Sequence, residues 1–354
     1  MRVCYLHSDG FVRDLNRYRS GLLPSHYLGG WVELEGRGHC VRRCPGPRGV
    51  WAALGPWGWV IWQTFWVFCE KRCADVFVSI DLRCTWIMLV LKVLGLLDIP
   101  LVHIEKASPL PRPPGGFRRW ITMRLWQEVG HFHSISSRLV SRFCEAYRLE
   151  PKRCRFLPMA PDPSWGSGFR HAEEERLCLL IGDRGRANLD PVLEAMPLGE
   201  TVVVVAAIGE TRRLRSHRCF GSGVQLRESL PAEEMQRLVW RSRLLLFPST
   251  EEEDGGNVLL FLEGLSLGKV MIVVGDCGLG DYAQAGVNCL VVPEGATARL
   301  RDSIQAVLNN PRHFDFMRKQ AQRSIREEFS QEKFGGALEA SIERVVLDQR
   351  AKRR

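Results

Sequence analysis

Residues 247–269 read FPSTEEEDGGNVLLFLEGLSLGK. Four consecutive acids, Glu251 to Asp254, run into Gly255-Gly256, and the apolar run that follows carries a single carboxylate, Glu263. The residues LLLFPS at its head predict a buried strand that stops at a Pro-Ser turn. An acidic, glycine-bearing loop then falls beyond the carboxyl end of a strand, where open parallel sheets bind ligands. Gly255-Gly256 predict a tight, backbone-exposing turn. Asn257, just before the periodicity of VLLFLEGL, is the predicted helix N-cap, with Glu263 in the second turn. Such a helix start offers free N–H groups and a positive dipole end to a phosphate. A carboxylate on the same helix can accept the hydroxyls of a ribose. On charge alone, the acid run is a solvated loop and Glu263 a surface residue of an amphipathic helix.

Working outward, apolar runs alternate with helical patterns. In the first half, strands are predicted at RVCYLH, ADVFVSIDL (74–82), IPLVHIE, HFHSISS and CRFLPM, with helices over 15–31, 85–97, 117–129 and 138–147. The rhythm argues for an α/β doubly wound parallel sheet. The linker-like PMAPDPSWGSGFR (158–170) marks a boundary, and the alternation restarts beyond it. Strands are expected over 177–181, 201–207, 244–247, 270–274 and 289–292, with helices over 189–196, 232–242, 258–267 and 296–309. Two helices (311–329 and 334–347) and a basic tail close the chain. The expected domains are 1–163 and 164–331, followed by a final helix and tail, 332–354, that returns to the first.

The totals, 354 residues with 45% apolar and 25% charged, describe a globular protein of two domains. The N-terminus lacks the basic region and cleavage site of a secretory signal. Twelve dispersed cysteines look like reduced cytosolic thiols. The pairs Cys40/Cys44 and Cys69/Cys73 lack metal-site spacing, and no metal is expected. Residues 1–160 hold 23 Lys and Arg against 12 Asp and Glu, and nine of the eleven Trp; residues 161–354 hold 26 against 28. A basic, Trp-rich first half suits an anionic partner such as a membrane surface, a lipid-linked acceptor or a nucleic acid. The uncharged stretch 50–69 has the length of a membrane span, but Gly55, Pro56 and Gly58 interrupt it. The reading is against spanning, with a buried or groove-lining helix and an interfacial docking helix both left open.

The sequence resembles the retaining glycosyltransferases of family 4, the glycosyl transferase group 1 family, whose signature is P-S-x-x-E-G-x-G-x-x-x-L-E-A-x-A-x-G-x-P-V-I. The chain carries PSTEEEDGGNVLLFLEGLSLGKVMI, then VVGDCGLGDYAQAGVNCLVVPEGATARLRDSI and NNPRHFDFMRKQAQRSIREEFSQEKF. Upstream, LCLLIGDRGRANLDPVLEAM is similar to the opening of the family's second domain. The likeness covers most of residues 177–345; in the first half it is one of layout. It implies a GT-B fold, with two Rossmann-like domains facing each other across a cleft. It also implies transfer of a sugar from a nucleoside diphosphate sugar to a hydroxyl, with retention and without a metal or other cofactor.

Carried over by residue, Glu263 is the second Glu of the family's pair, the ribose ligand. Counting back eight residues lands on Gly255 instead of the first Glu, so Asp254 is the candidate to orient the donor sugar. Arg184 and Arg186 in GDRGRAN stand where a diphosphate clamp belongs, without the family's Lys. Gly255, Gly256 and Asn257 complete the donor site. In the first domain, Glu105, with Lys106 beside it, takes the place of a His that many members have at a strand end. The donor is a UDP-, GDP- or ADP-sugar and the acceptor a glycan or lipid-linked molecule; nucleic acid is not expected. The expected location is the cytoplasm, with docking at the inner face of the membrane left open. The departures from the pattern keep a second reading, a catalytically impaired partner subunit that binds nucleotide, glycan or membrane. A third is another GT-B enzyme, such as a sugar-nucleotide epimerase.

Overall fold

The computed structural model describes residues 1–7, 9–47, 55–106, 116–165, 174–182, 189–197, 199–206, 208–215, 223–228, 230–249 and 255–353. They fall into two compact units, one built from the first half of the chain together with residues 331–353, the other from residues 159–330.

The first unit is built on the strands β1 (Arg2–Leu6), β2 (Cys40–Arg43), β3 (Val76–Ser79), β4 (Leu101–Glu105), β5 (His131–Ser134) and β6 (Cys154–Phe156), ordered β2-β1-β3-β4-β5-β6. Every pairing is parallel. Its inner strands are continuous buried runs such as VFVS, as expected of a sheet covered on both faces. Between them lie α1 (Asp9–Arg19), α2 (Trp31–Gly36), α3 (Gly55–Glu70), α4 (Leu82–Val93), α5 (Gly116–Trp126) and α6 (Ser137–Tyr147). Right-handed crossovers in this order put α3 to α6 side by side on one face. There Val67, Met88, Trp126 and Phe143 share one core with Phe77 and Phe132.

The second unit repeats the plan with β7 (Glu175–Ile181), β8 (Thr201–Ala206), β9 (Val224–Glu228), β10 (Ser242–Phe247), β11 (Val270–Val274) and β12 (Leu290–Val292). The order is β12-β11-β10-β7-β8-β9, again all parallel. Its helices are α7 (Asp190–Ala195), α8 (Ile208–Leu214), α9 (Ala232–Arg241), α10 (Gly255–Ser266), α11 (Thr297–Asn309) and α12 (Asp315–Glu327). The last helix, α13 (Gln331–Arg353), packs on α2 and β4 of the first unit.

Several expectations are corrected. The single helix over 15–31 is instead α1, a 3-10 turn (Ser25–Leu28) and α2. Gly29 and Gly30, at φ 61° and 89°, break it in a backbone region that other residues resist. The edge strands β2 and β9 and the helix α8 were not predicted. Of the uncharged stretch 50–69, residues 50–54 lie outside the described residues, and the rest belongs to α3. Trp59, Val60, Gln63 and Val67 of α3 are buried, while Ile61 and Phe65 are exposed. No helix among the described residues is long and apolar enough to cross a membrane.

Candidate functional site

In the second unit the carboxyl ends of β10, β11 and β12 meet. Ser249, two residues past β10, donates its hydroxyl to Oε1 of Glu294 at 2.7 Å. Between them stands Gly275 at φ 62°, where an added Cβ would lie 3.0 Å from Ser249 Cβ and 3.1 Å from that of Glu294. The Gly275 N–H donates to the carbonyl of Val292 at 2.9 Å, closing the edge. Sequence reasoning did not single out Ser249 or Glu294, although each immediately follows a Pro at the end of a strand.

The helix α10 rises from this edge. Val258, Phe261, Leu262 and Leu265 are buried, and the helix packs on β11 and α12. At Gly264 a Cβ would come within 2.7 Å of Leu245 and 2.9 Å of the Met271 sulfur. That close approach seats the adjacent Glu263 in the packed wall, with its residue only 6% exposed. Burying a carboxylate in such surroundings is costly unless polar groups answer it.

The helix starts earlier than predicted. Gly255 and Gly256 are its first residues, not a turn, so Asn257 lies within the first turn and is buried instead of capping it. Glycine is a poor helix former, so the helix extends over both because the apolar run after them, with Val258, Phe261, Leu262 and Leu265 buried, anchors it in the core. Glu263 accordingly lies in the third turn. The first N–H groups of α10 are those of Gly255, Gly256 and Asn257, which have no partner within the helix itself. Asp254, Arg184 and Arg186 lie outside the described residues.

In the first unit, β4 ends at Glu105. The Thr85 hydroxyl lies 2.7 Å from Ser79 Oγ and 2.8 Å from Nδ1 of His103. The other ring nitrogen of His103 is 3.4 Å from the Glu105 carboxylate. His103 is thus a buried link from the start of α4 to the end of β4, turned into the sheet. Next to it, Lys106 donates from Nζ to the Tyr27 carbonyl at 2.8 Å and lies against Gly29. Enclosure lowers its pKa to about 8, with the Glu33 and Asp14 carboxylates pulling the other way. His7, at the end of β1, is held by its backbone: its N–H donates to Gln63, and its carbonyl accepts from Trp59 Nε1 at 2.6 Å. Glu105, Lys106 and His7 thus share the carboxyl edge of the first sheet.

His131 and His133 face one way. Nδ1 of the first and Nε2 of the second each lie 2.6 Å from the hydroxyl of Ser341 on α13. Burial lowers their pKa to about 4 and about 3. They anchor a helix, and no group of His, Cys, Asp and Glu able to hold a metal occurs among the described residues.

The sequence model of the family described as "Glycosyl transferases group 1" matches residues 176–310, which include β10, α10, Glu263 and Glu294. No curated protein sequence matches the chain. Among solved structures, Anabaena HepE in complex with UDP and glucose is similar over 97% of this chain and 99% of its own, at 14% identity and a TM-score of 0.64. WaaG, a glycosyltransferase involved in lipopolysaccharide biosynthesis, is similar over 96% and 98%, at 14% identity and TM-score 0.60. Sucrose-phosphate synthase from Thermosynechococcus elongatus is similar over 98% and 99%, at 13% and 0.66. The chain has the GT-B fold of these glycosyltransferases, and its residues 176–310 match the sequence model of the group 1 glycosyl transferases.

Proposed function

We propose that the chain is a retaining glycosyltransferase that moves a sugar from a nucleoside diphosphate sugar to a hydroxyl on a lipid-linked or cell-envelope glycan. The observation that carries this is Glu263, a carboxylate buried on the helix that follows β10, within the segment matching the family. In this reading Glu263 accepts the ribose hydroxyls of the donor. The N–H groups at the start of α10, with Arg184 and Arg186, hold the diphosphate by charge-assisted hydrogen bonds, and Asp254 orients the sugar. In the first unit, Glu105, with Lys106 beside it at the end of β4, is the candidate to contact the acceptor. UDP is the leading nucleotide, because HepE has been seen with UDP, with UDP-glucose, and with UDP and glucose.

In the reaction the anomeric carbon loses its bond to the diphosphate oxygen and gains one to the acceptor oxygen on the same face. The acceptor's proton passes to the departing diphosphate. No protein nucleophile, metal or further cofactor takes part. Basic side chains and backbone N–H groups stabilise the charge that develops on the leaving group.

The test is a thermal-shift titration with UDP, GDP, ADP and their sugars, on the wild type and on Glu263→Gln, followed by sugar transfer to an acceptor extract. A ligand at a hundred times its Kd adds about 2.7 kcal/mol to stability. One nucleotide that raises the wild-type melting temperature and fails with Glu263→Gln supports the donor site. Gly255, standing where the family's first Glu belongs, favours the partner-subunit reading as the alternative. Nucleotide binding without transfer would establish it.

A further inference from the structure

The helix layer of the first unit is divided in a way that the donor reading does not use. The helices α3, α4, α5 and α6 lie side by side over one face of the sheet. A helix in such a layer ordinarily turns an apolar stripe to the core and a charged one to water. The helix α6 does so: Ser137, Arg138, Ser141, Arg142 and Glu145 are its exposed positions. Its three neighbours do not. On α3 Ile61 and Phe65 face out, the latter 63% exposed, with Cys69 exposed a turn further on. On α4 Val90 faces out, and Leu94, just past its end, is 63% exposed. On α5 Phe117 is 73% and Trp120 63% exposed, with their rings stacked 5.7 Å apart. All three helices therefore present large apolar side chains to solvent, beside the exposed Arg83 of α4 and Arg118, Arg119 and Arg124 of α5.

A run of large apolar side chains on adjacent helices is rarely left bare in a soluble monomer. The charges around this face identify what covers it. Arg118 and Arg119 are exposed between Phe117 and Trp120, and the first turn of α5 has no acid. Lys71 and Arg72, just past α3, are exposed as well. Among the described residues, neither Arg118 nor Arg119 has a carboxylate partner. Large apolar and Trp side chains interleaved with arginine suit the boundary between lipid headgroups and acyl chains, where the cations meet anionic phosphates. A protein partner of obligate type would favour a core depleted of charge.

We propose that the outer face of α3, α4 and α5 docks the first unit onto an anionic lipid bilayer, with Phe65, Leu94 and Trp120 entering the interface. The helices lie on the membrane and do not cross it. The proposal builds on the lipid-linked acceptor suggested above, since it would hold the first unit at the surface where such an acceptor resides.

The test is flotation of the full chain with phosphatidylcholine vesicles, with and without phosphatidylglycerol, in the absence of donor and acceptor. The wild type should bind the phosphatidylglycerol vesicles, more weakly as salt rises. Phe65→Ser, Leu94→Ser and Trp120→Ser should each lower the partition coefficient about ten-fold with little change in melting temperature, and the triple variant should not float. Glu145→Gln on α6 should float like the wild type. Absence of wild-type binding, or equal binding by the triple variant, would overturn the proposal. So would a wild-type dimer in light scattering that the triple variant dissolves, since a second copy would then cover the face. Because no nucleotide is present, failure here leaves the donor-site reading standing, and a failed nucleotide titration leaves this result standing.

Discussion

Ser249 and Glu294, 45 residues apart in the chain, share a 2.7 Å hydrogen bond that ties the end of β10 to the turn after β12. Gly275 lies between them at φ 62°, where an added Cβ would crowd both side chains at 3.0 and 3.1 Å. Gly275→Ala should therefore cost about 1–2 kcal/mol for the left-handed backbone alone and push the two strand ends apart. A lowered urea midpoint together with weaker nucleotide binding would be the signature. An unchanged midpoint would mean that the edge yields more readily than its packing suggests.

Glu263 offers the most direct check on the donor site. Glu263→Gln keeps the side-chain volume in the packed wall and removes the charge. Hydrogen bonds to a charged group contribute about 1.5–3 kcal/mol, so the Kd for the cognate nucleotide should rise about 10- to 100-fold by calorimetry. Loss of folding instead of affinity would make the residue structural.

Lys106 should leave a mark on stability against pH. Its pKa in the folded chain is about 8, below the ordinary 10.5. Between those values the unfolded chain binds the proton and the folded chain does not, so this group makes stability rise with pH from about 8 to 10.5. Buried thiols raised to about 12, such as Cys44 and Cys178, work in the opposite sense. The measurement is therefore a difference: urea midpoints of Lys106→Met should show a smaller rise, or a steeper fall, than the wild type across that window. Parallel curves would count against an enclosed Lys106.

The Ser341 hydroxyl donates to one of His131 and His133 and accepts from the other, so the two rings face it in opposite roles. Ser341→Ala should cost about 1–3 kcal/mol, because it strands a buried ring N–H. Both imidazoles are held neutral, with pKa values of about 4 and about 3 against an ordinary 6.5. The stability they contribute is full above pH 6.5 and falls as pH drops from there towards about 4, as the unfolded chain takes up protons that the folded chain refuses. Amide exchange across α13 should speed up in that window before it does in the second unit. Uniform exchange would argue against it.

Much of the architecture was legible because parallel strands buried on both faces leave continuous apolar runs. Val270–Val274, five residues and all buried, was read with its observed bounds. The edge strands were hidden for the converse reason. In Cys40–Arg43 and Val224–Glu228, half or more of each strand is polar or charged, and neither has a residue buried throughout. Leu22 and Leu23 made a turn look helical, because periodicity does not register a backbone that Pro24 and Gly29 redirect. At the candidate site, Glu263 and Glu105 could be picked out by carrying over a family motif, since charge pattern alone reads Glu263 as a surface residue. The pairing of Ser249 with Glu294 could not, since it depends on which strand ends the sheet order brings together.

The assignment of α13 to the first unit has a consequence for how the molecule is made. The sheet of that unit is translated before the second unit, yet Ser341, the partner of His131 and His133, and Glu339, which binds Arg37 at 2.9 Å and His39 at 2.8 Å, are synthesised only after it. Domains generally fold as units while the chain emerges. The second unit, contiguous in sequence, can therefore close on the ribosome while the first, begun sooner, still lacks its final helix. Order of folding should run opposite to order of synthesis.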